Sequence, residues 1–103
     1  MAIIRSEHGE HLHIYGGVSG NGDMLFGEGF KSQRIKEGTY YIEFERQFRG
    51  NPAPVCTING YEWKTFNLSV ALVEVSPNYF ICVTSSPDRP VDSDFTFIAF
   101  GDA

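Results

Sequence analysis

The sequence predicts an all-β protein, an antiparallel β-sandwich of seven to nine short strands. Aromatic residues make up 15% of the 103 residues, with nine Phe and five Tyr, and such residues are enriched in strands. Eleven Gly and five Pro supply turn residues along the whole chain. Short apolar segments recur between these turns at a spacing of roughly 8–14 residues, which is typical of a sandwich or a jelly-roll barrel. No segment has a helical pattern.

The clearest strand prediction is residues 39–48, TYYIEFERQF. Two sets of side chains alternate there at the strand period of two, Tyr40, Ile42 and Phe44 against Tyr41, Glu43 and Glu45. The first set should face the core and the second the solvent. Gly38 before the segment and residues 49–52 after it have turn chemistry.

Four further strands are predicted in the second half of the chain, at residues 55–58, 66–75, 79–85 and 95–100. In the second of these, Leu68, Val70 and Leu72 share one face. The last reads FTFIAF and is apolar on both faces. This pattern indicates a central strand, or one that also meets a neighbouring subunit, and not an exposed edge.

The N-terminal part has a weaker pattern. Short strands are expected at residues 11–15, 24–26 and 30–35, separated by glycine-rich stretches. We therefore expect one domain over residues 1–103, with a loop-rich part at 1–29 and a core at 30–101.

Charge and hydropathy exclude several classes of partner. The net charge of −5 and the scattered Lys and Arg do not suit a phosphate backbone, so no nucleic acid is expected. No apolar run approaches the ~20 residues that span a bilayer, so no membrane insertion is expected. The N-terminus, MAIIRSEHGEH, lacks the apolar core of a signal peptide. The chain is expected to be cytoplasmic on synthesis, and the site where it finally acts is left open, a virion or the extracellular space after release included.

Residues 27–101 resemble the small trimeric β-sandwich heads of phage tail fibres and bacterial collagen-like proteins. They are also distantly similar to the H-type lectin domain. The similarity is carried mainly by core and turn residues, namely Phe44, Phe48, Pro54, Val55, Val70, Val73, Phe80 and the closing FIAFG of residues 97–101. Phe97 stands where H-type lectins usually carry Trp. The resemblance implies a closed homo-oligomer, commonly a trimer, and glycan binding by analogy.

The loop of residues 59–65, NGYEWKT, is the predicted ligand-binding site. Tyr61 and Trp63 supply flat apolar faces, and Glu62 and Lys64 lie beside them. In an extended loop, both rings would project the same way. In the alternative interpretation, the rings fold back and cap the end of the sandwich.

His8, His11 and His13 form the only cluster typical of a metal site. On a strand, His11 and His13 point to one face, and three copies around a symmetry axis would offer six imidazoles to a transition metal. Ordinary histidines on a solvated strand are the simpler interpretation, and surface recognition is a third. No other cofactor is predicted.

Cys56 and Cys82 lie in apolar strands and match no zinc pattern. Buried free thiols are expected, with a cross-strand disulfide as the alternative. Motifs for nucleophilic or metal-assisted catalysis are missing from the sequence, so we do not expect an enzyme. The sequence favours an oligomeric recognition module for a surface glycan or receptor, like a fibre head or lectin. The alternative is a structural or assembly subunit of a virion or secreted particle.

Overall fold

The computed structural model of the chain describes residues 1–6 and 9–103, and the side chains of all of these except Ser6, Glu62 and Lys64. Within this part of the chain, nine strands form two antiparallel sheets that pack against each other. The predicted β-sandwich is therefore confirmed, with a strand number at the upper end of the expected range. His8 lies outside the described residues.

The strands follow one another with mostly short connections. In chain order they are β1 (Ala2–Ser6), β2 (Gly9–Val18), β3 (Met24–Gly27), β4 (Phe30–Lys36), β5 (Thr39–Phe44), β6 (Ala53–Ile58), β7 (Ser69–Ser76), β8 (Tyr79–Ser85) and β9 (Phe95–Asp102). A single helical turn, α1 (Glu62–Thr65), lies between β6 and β7.

The strands divide into two sheets, which we call sheet A and sheet B. Sheet A has the order β1-β2-β9-β6, and β3 pairs with the end of β2 that β1 leaves uncovered. Sheet B has the order β4-β5-β8-β7. The chain therefore passes from one sheet to the other between β3 and β4, between β5 and β6, between β6 and β7, and between β8 and β9.

The core lies between the sheets and is built on aromatic contacts. Tyr40, Ile42 and Phe44 are all buried, as the alternation along β5 predicts. Phe97 of β9 reaches across from sheet A and packs edge-on against Phe30 at 4.9 Å and Phe80 at 5.2 Å between ring centroids. Such edge-to-face pairs contribute beyond the burial of their area, so Phe97 joins the two sheets.

β9 is a central strand, because β2 pairs with it on one side and β6 on the other. The prediction that FTFIAF is not an exposed edge is therefore confirmed. Its two faces differ: Phe95, Phe97 and Ala99 are buried in the core, whereas Ile98 and Phe100 are exposed on the outer face of sheet A.

The N-terminal part contains more strand than its glycines suggest. Residues 1–29 were expected to be loop-rich, yet β2 runs through Gly16 and Gly17 without a turn. A Cβ at Gly16 would lie 2.3 Å from the Phe30 ring, and one at Gly17 would lie 2.4 Å from the Phe26 ring. At these glycines, aromatic rings therefore pack closely against the two faces of the strand. The sequence alone does not distinguish a glycine of this kind from a glycine in a turn.

Two strands differ from their predicted bounds: β5 ends earlier than expected, and β7 begins later. β5 ends at Phe44 because the chain then turns toward the β7–β8 connection, where the Phe44 amide donates to the Asn78 carbonyl at 2.9 Å and the Phe48 amide to the Pro77 carbonyl at 2.8 Å. β7 begins at Ser69 and not at residue 66, because the Leu68 amide donates back to the Thr65 carbonyl at 3.0 Å.

Candidate functional site

The connection between β6 and β7 presents the predicted aromatic pair at one end of the sandwich. It is not the extended loop that the sequence suggested, because α1 closes with a hydrogen bond from the Thr65 amide to the Tyr61 carbonyl at 3.1 Å. The rings of Tyr61 and Trp63 nevertheless lie side by side, with centroids 6.3 Å apart and planes inclined by only 9°. The two rings therefore form a nearly parallel stack.

This loop exposes its aromatic side chains. Tyr61 is 70% exposed and Trp63 is 68% exposed. Neither ring is buried against the end of the sandwich, so the structure does not have the arrangement in which they fold back as a cap. Exposed aromatic side chains on a loop held by a rigid scaffold are typical of contact surfaces.

Phe66, in the same connection between β6 and β7, is 83% exposed. The sequence placed this residue at the start of a strand, so its exposed position before β7 was missed. The signal that could have indicated an exposed ring is its position three residues after Trp63, in a segment rich in turn residues. Glu62 and Lys64 belong to α1, but their side chains are outside the part of the structure that is described.

A cleft of about 260 Å³ opens beside the aromatic loop. One wall comes from the β6–β7 connection and the other from the segment before β9; the lining residues are Asn59, Gly60, Tyr61, Thr65, Leu68, Asp92, Ser93 and Asp94. The Asn59 amide donates to the Asp94 carbonyl at 3.0 Å, which holds the two walls together. Tyr61 is the aromatic residue of this lining, so the cleft combines the Tyr61 ring on one side with polar groups on the other.

Asp92 fixes the polar wall. Its two carboxylate oxygens share one bifurcated hydrogen bond from Arg34 Nε, each at 3.0 Å, and Oδ1 accepts another from the Gly38 amide at 2.7 Å. The Tyr40 hydroxyl lies 3.2 Å from the same carboxylate. The Arg34 guanidinium is the main group that lowers the pKa of Asp92 below its usual value, with the Gly38 amide acting in the same direction.

Asp94 holds the glycine-rich stretch before β3. Its Oδ1 accepts a hydrogen bond from the Gly20 amide at 2.7 Å, and the Gly20 carbonyl accepts one from the Tyr40 hydroxyl at 2.9 Å. Tyr40 is buried, and this burial raises the pKa of its hydroxyl. The loops at this end are therefore tied to the core by these hydrogen bonds.

His11 and His13 lie far along β2 from this cleft, on the outer face of sheet A. The His11 ring stacks on Phe100 with centroids 5.4 Å apart, and the His13 ring stacks on Tyr15 at 6.4 Å. Among the described residues, no group of three or more His, Cys, Asp or Glu could hold a metal ion. The predicted metal site stays a prediction that requires imidazoles from further copies of the chain.

The outer face of sheet A has an unusual composition for a solvated surface. The pairing of β2, β9 and β6 places Tyr15, Ile98 and Val55 in one row, and His13, Phe100 and Ala53 in the next. Neither row contains Asp, Glu, Lys or Arg. The exposed side chains of Tyr15, Phe26, Val55, Ile98 and Phe100 form what we call the apolar face.

The apolar face is large and indented. Its five residues are about half-exposed, and a full side chain of these types has an area of roughly 150–200 Å², so together they expose an apolar area on the order of 450 Å². The largest apolar patch on a typical monomer covers roughly 300–600 Å² and is often functional. A concavity of about 380 Å³ lies between Tyr15, Phe26, Val55 and Ile98. Such a surface suits contact with another protein surface.

No helix in the described part of the chain is long and apolar enough to cross a membrane. Comparison with protein-family models, with curated proteins and with solved structures finds no match. Inference about function therefore rests on the two surfaces described above, the aromatic loop with its cleft and the apolar face.

Proposed function

We propose that the protein is an oligomeric recognition module whose copies associate through the apolar face and present the aromatic loop to a glycan or receptor on a surface. The observation that carries the proposal is the nearly parallel, exposed pair of Tyr61 and Trp63 beside a cleft with a polar wall. Flat apolar rings next to hydrogen-bonding groups suit a sugar ring or an amphipathic protein epitope.

Oligomerisation makes a small site of this kind effective. A cleft of about 260 Å³ lies below the roughly 300–1,000 Å³ of pockets for drug-sized ligands, so each site would bind weakly. Several copies that meet a repetitive surface at once gain avidity, which can exceed single-site affinity by roughly 10²–10⁴. The resemblance to trimeric fibre heads favours three copies, and the apolar face offers each copy a surface for association.

The test is a glycan array and a cell-binding assay with three proteins: wild type, Trp63→Ala and Val73→Ala. Val73 is an exposed apolar residue on β7 and serves as the matched control. Binding by wild type and Val73→Ala, with loss in Trp63→Ala, supports the proposal. Equal binding by all three proteins would show that the aromatic loop is not the binding site.

Stability must be measured on the same samples. Because Trp63 is mostly exposed, its truncation should shift the midpoint of thermal unfolding by only a degree or two. A loss on the scale of a core truncation, about 3–5 kcal/mol, would show instead that Trp63 is a packing residue.

The apolar face favours a second candidate function, a structural or assembly subunit of a larger particle. Such a subunit would need the exposed Tyr15, Phe26, Val55, Ile98 and Phe100 but not the exposed rings of the loop. A blank array together with stable self-association in solution would select this alternative.

A further inference from the structure

Two Asn residues of the chain are followed directly by Gly, and the fold gives the two pairs different surroundings. Asn21 and Gly22 lie in the turn before β3, whereas Asn59 and Gly60 begin the aromatic loop directly after β6. An Asn before Gly is especially open to attack by the next main-chain nitrogen on its side-chain amide, because Gly has no side chain to shield that nitrogen. The local sequence makes the two pairs alike, and hydrogen bonding distinguishes them.

The amide of Gly22 is held in a turn. It donates to the Ser19 carbonyl at 2.8 Å, and the Asn21 amide donates to the Ser19 hydroxyl at 3.3 Å. Gly22 has a φ of +92°, and a Cβ there would lie 2.5 Å from the main-chain nitrogen of Arg34. The backbone therefore requires glycine at this position, and the engaged Gly22 amide becomes available for reaction only when the turn opens.

The amide of Gly60 has no hydrogen-bond partner among the described residues, and the side chain of Asn59 has none there either. Both residues are exposed. Gly60 does not have a positive φ, and an added Cβ would meet the Thr65 side chain at 3.1 Å. The backbone conformation therefore does not require glycine here, and no hydrogen bond in the described part of the chain restrains either reacting group.

Asn59 also lies where a chemical change would affect the cleft. Its main-chain amide donates to the Asp94 carbonyl at 3.0 Å, and both residues line the cleft together with Tyr61. Conversion of the Asn59 amide to an acid would add a negative charge to a lining that already contains Asp92 and Asp94. A longer main chain at this point would shift the start of the aromatic loop relative to the hydrogen bond that anchors it.

We propose that Asn59 is a site of spontaneous deamidation in the folded protein, and that its turn protects Asn21 from the same reaction. Water is the co-reactant. The products are Asp and isoaspartate at position 59, and both change the aromatic loop and its cleft. The modification follows from the local structure and does not depend on the proposed recognition function.

The reaction proceeds in two steps and needs no oxidant. The Gly60 nitrogen loses its proton and attacks Cγ of Asn59, the new nitrogen–carbon bond closes a succinimide ring, and the side-chain nitrogen takes up a proton and leaves as ammonia. Water then opens the ring at one of its two carbonyl groups. Opening at Cγ gives Asp in an unchanged main chain. Opening at the main-chain carbonyl gives isoaspartate, in which the main chain runs through the side chain and is one methylene longer.

Peptide mapping by mass spectrometry tests the proposal on folded protein incubated at mildly alkaline pH. Wild type should lose the Asn59 amide, and the digest should contain both Asp and isoaspartate at that position. Asn21 should react about ten times more slowly, because a hydrogen-bonded turn must open first. Asn59→Gln should keep its amide, because the longer side chain would have to close a larger ring.

Gly60→Ala is the matched control, since its methyl group shields the attacking nitrogen and meets only the Thr65 side chain. It should retain the Asn59 amide over the period in which wild type loses it. Thermal unfolding before incubation establishes that both variants are folded. An intact Asn59 in wild type, loss at Asn21 that is as fast, or a Gly60→Ala variant that reacts like wild type would overturn the proposal.

Incubation in guanidinium chloride separates the effect of the fold from that of the local sequence. Without the fold, Asn21 and Asn59 should lose their amides at similar rates. A difference between the two sites that persists in the denaturant would show that the turn does not protect Asn21, and would overturn that part of the proposal.

Trp63 reports on the loop because it is the only tryptophan in the chain. Its fluorescence emission should shift in wild type as Asn59 is converted, and should stay unchanged in Asn59→Gln incubated in the same way. This measurement uses no ligand, so its result is separate from that of the glycan array. Conversion of Asn59 without a change in emission would retain the modification site and overturn its effect on the loop.

Discussion

Asp92 shows at the scale of a single residue how the loops beside the cleft are held. One carboxylate accepts hydrogen bonds from Arg34 of β4 and from the amide of Gly38 in the β4–β5 turn, and it contacts the Tyr40 hydroxyl of β5. Hydrogen bonds to a charged group contribute more than neutral ones, although solvent screening reduces the contribution where the pair is about one-third exposed, as here. The shape of the polar wall therefore depends on this side chain being ionised.

Asp92→Asn should destabilise the fold at neutral pH by up to about 1 kcal/mol, because the amide cannot reproduce the ion pair with Arg34, which is partly screened by solvent. The pKa of Asp92 is lowered in the folded state, so its contribution is present above the unfolded value of about 3.9 and is lost as the pH falls through the lower folded value. Urea unfolding at pH 7 and near pH 3 should therefore show the gap between the two proteins closing on acidification.

Asp88→Asn is the control for this experiment, since Asp88 is an exposed acid in the same segment. It should leave the stability near that of wild type at neutral pH. If Asp92→Asn behaved like the control, the hydrogen bonds of Asp92 would not stabilise this end of the sandwich.

Strand β2 shows at the scale of the element why part of the sequence pattern is misleading. It is the longest strand, and it carries glycines where the Phe30 ring packs on its inner face and the Phe26 ring on its outer face. By contrast, β5 has large apolar side chains at every second position, and its buried face follows from the sequence alone. Glycine packed under a ring from a distant strand has no local signal, so β2 was expected to be short.

Gly16→Ala should destabilise the sandwich by about 1–3 kcal/mol, the usual cost of inserting a group into a filled core. The new methyl group would lie 2.3 Å from the Phe30 ring and 2.7 Å from the Phe26 carbonyl, and the second of these atoms is backbone that cannot move aside. Chemical denaturation measures the effect. Gly20→Ala is the matched control, because a methyl group there meets neighbours only at 3.5 Å or more. Equal losses in both variants would contradict the packing argument.

For the whole molecule, the sequence predicts the two-layer fold because the strands of both sheets are marked by alternating apolar and polar side chains and are separated by turn residues. Eight of the nine strands overlap a predicted segment, and only β1 has no counterpart. The aromatic loop was also predicted, from Tyr61 and Trp63. The cleft was not, since its polar wall comes from residues near Asp92 and Asp94 that pairing of distant strands brings beside the loop. That juxtaposition is a property of the topology.

The apolar face gives a prediction on assembly. Substitutions at two neighbouring residues of β9 distinguish an effect on folding from an effect on association. Purified wild type should scatter light with a mass of about three times 11.5 kDa at micromolar concentration. Ile98→Asp should give a single folded chain, because Ile98 is 45% exposed and a charge at a tight interface costs several kcal/mol when it is desolvated without a partner.

Phe97→Asp is the informative contrast, since the neighbouring side chain on β9 points the other way. Phe97 is buried between Phe30 and Phe80, so a charge there should unfold the chain before any question of association arises. Circular dichroism separates the two variants: Ile98→Asp should retain a cooperative melt and Phe97→Asp should not. A wild-type protein that stays monodisperse at the mass of one chain would contradict the assembly. If Ile98→Asp assembled like wild type, the copies would have to meet through a surface other than the outer face of sheet A.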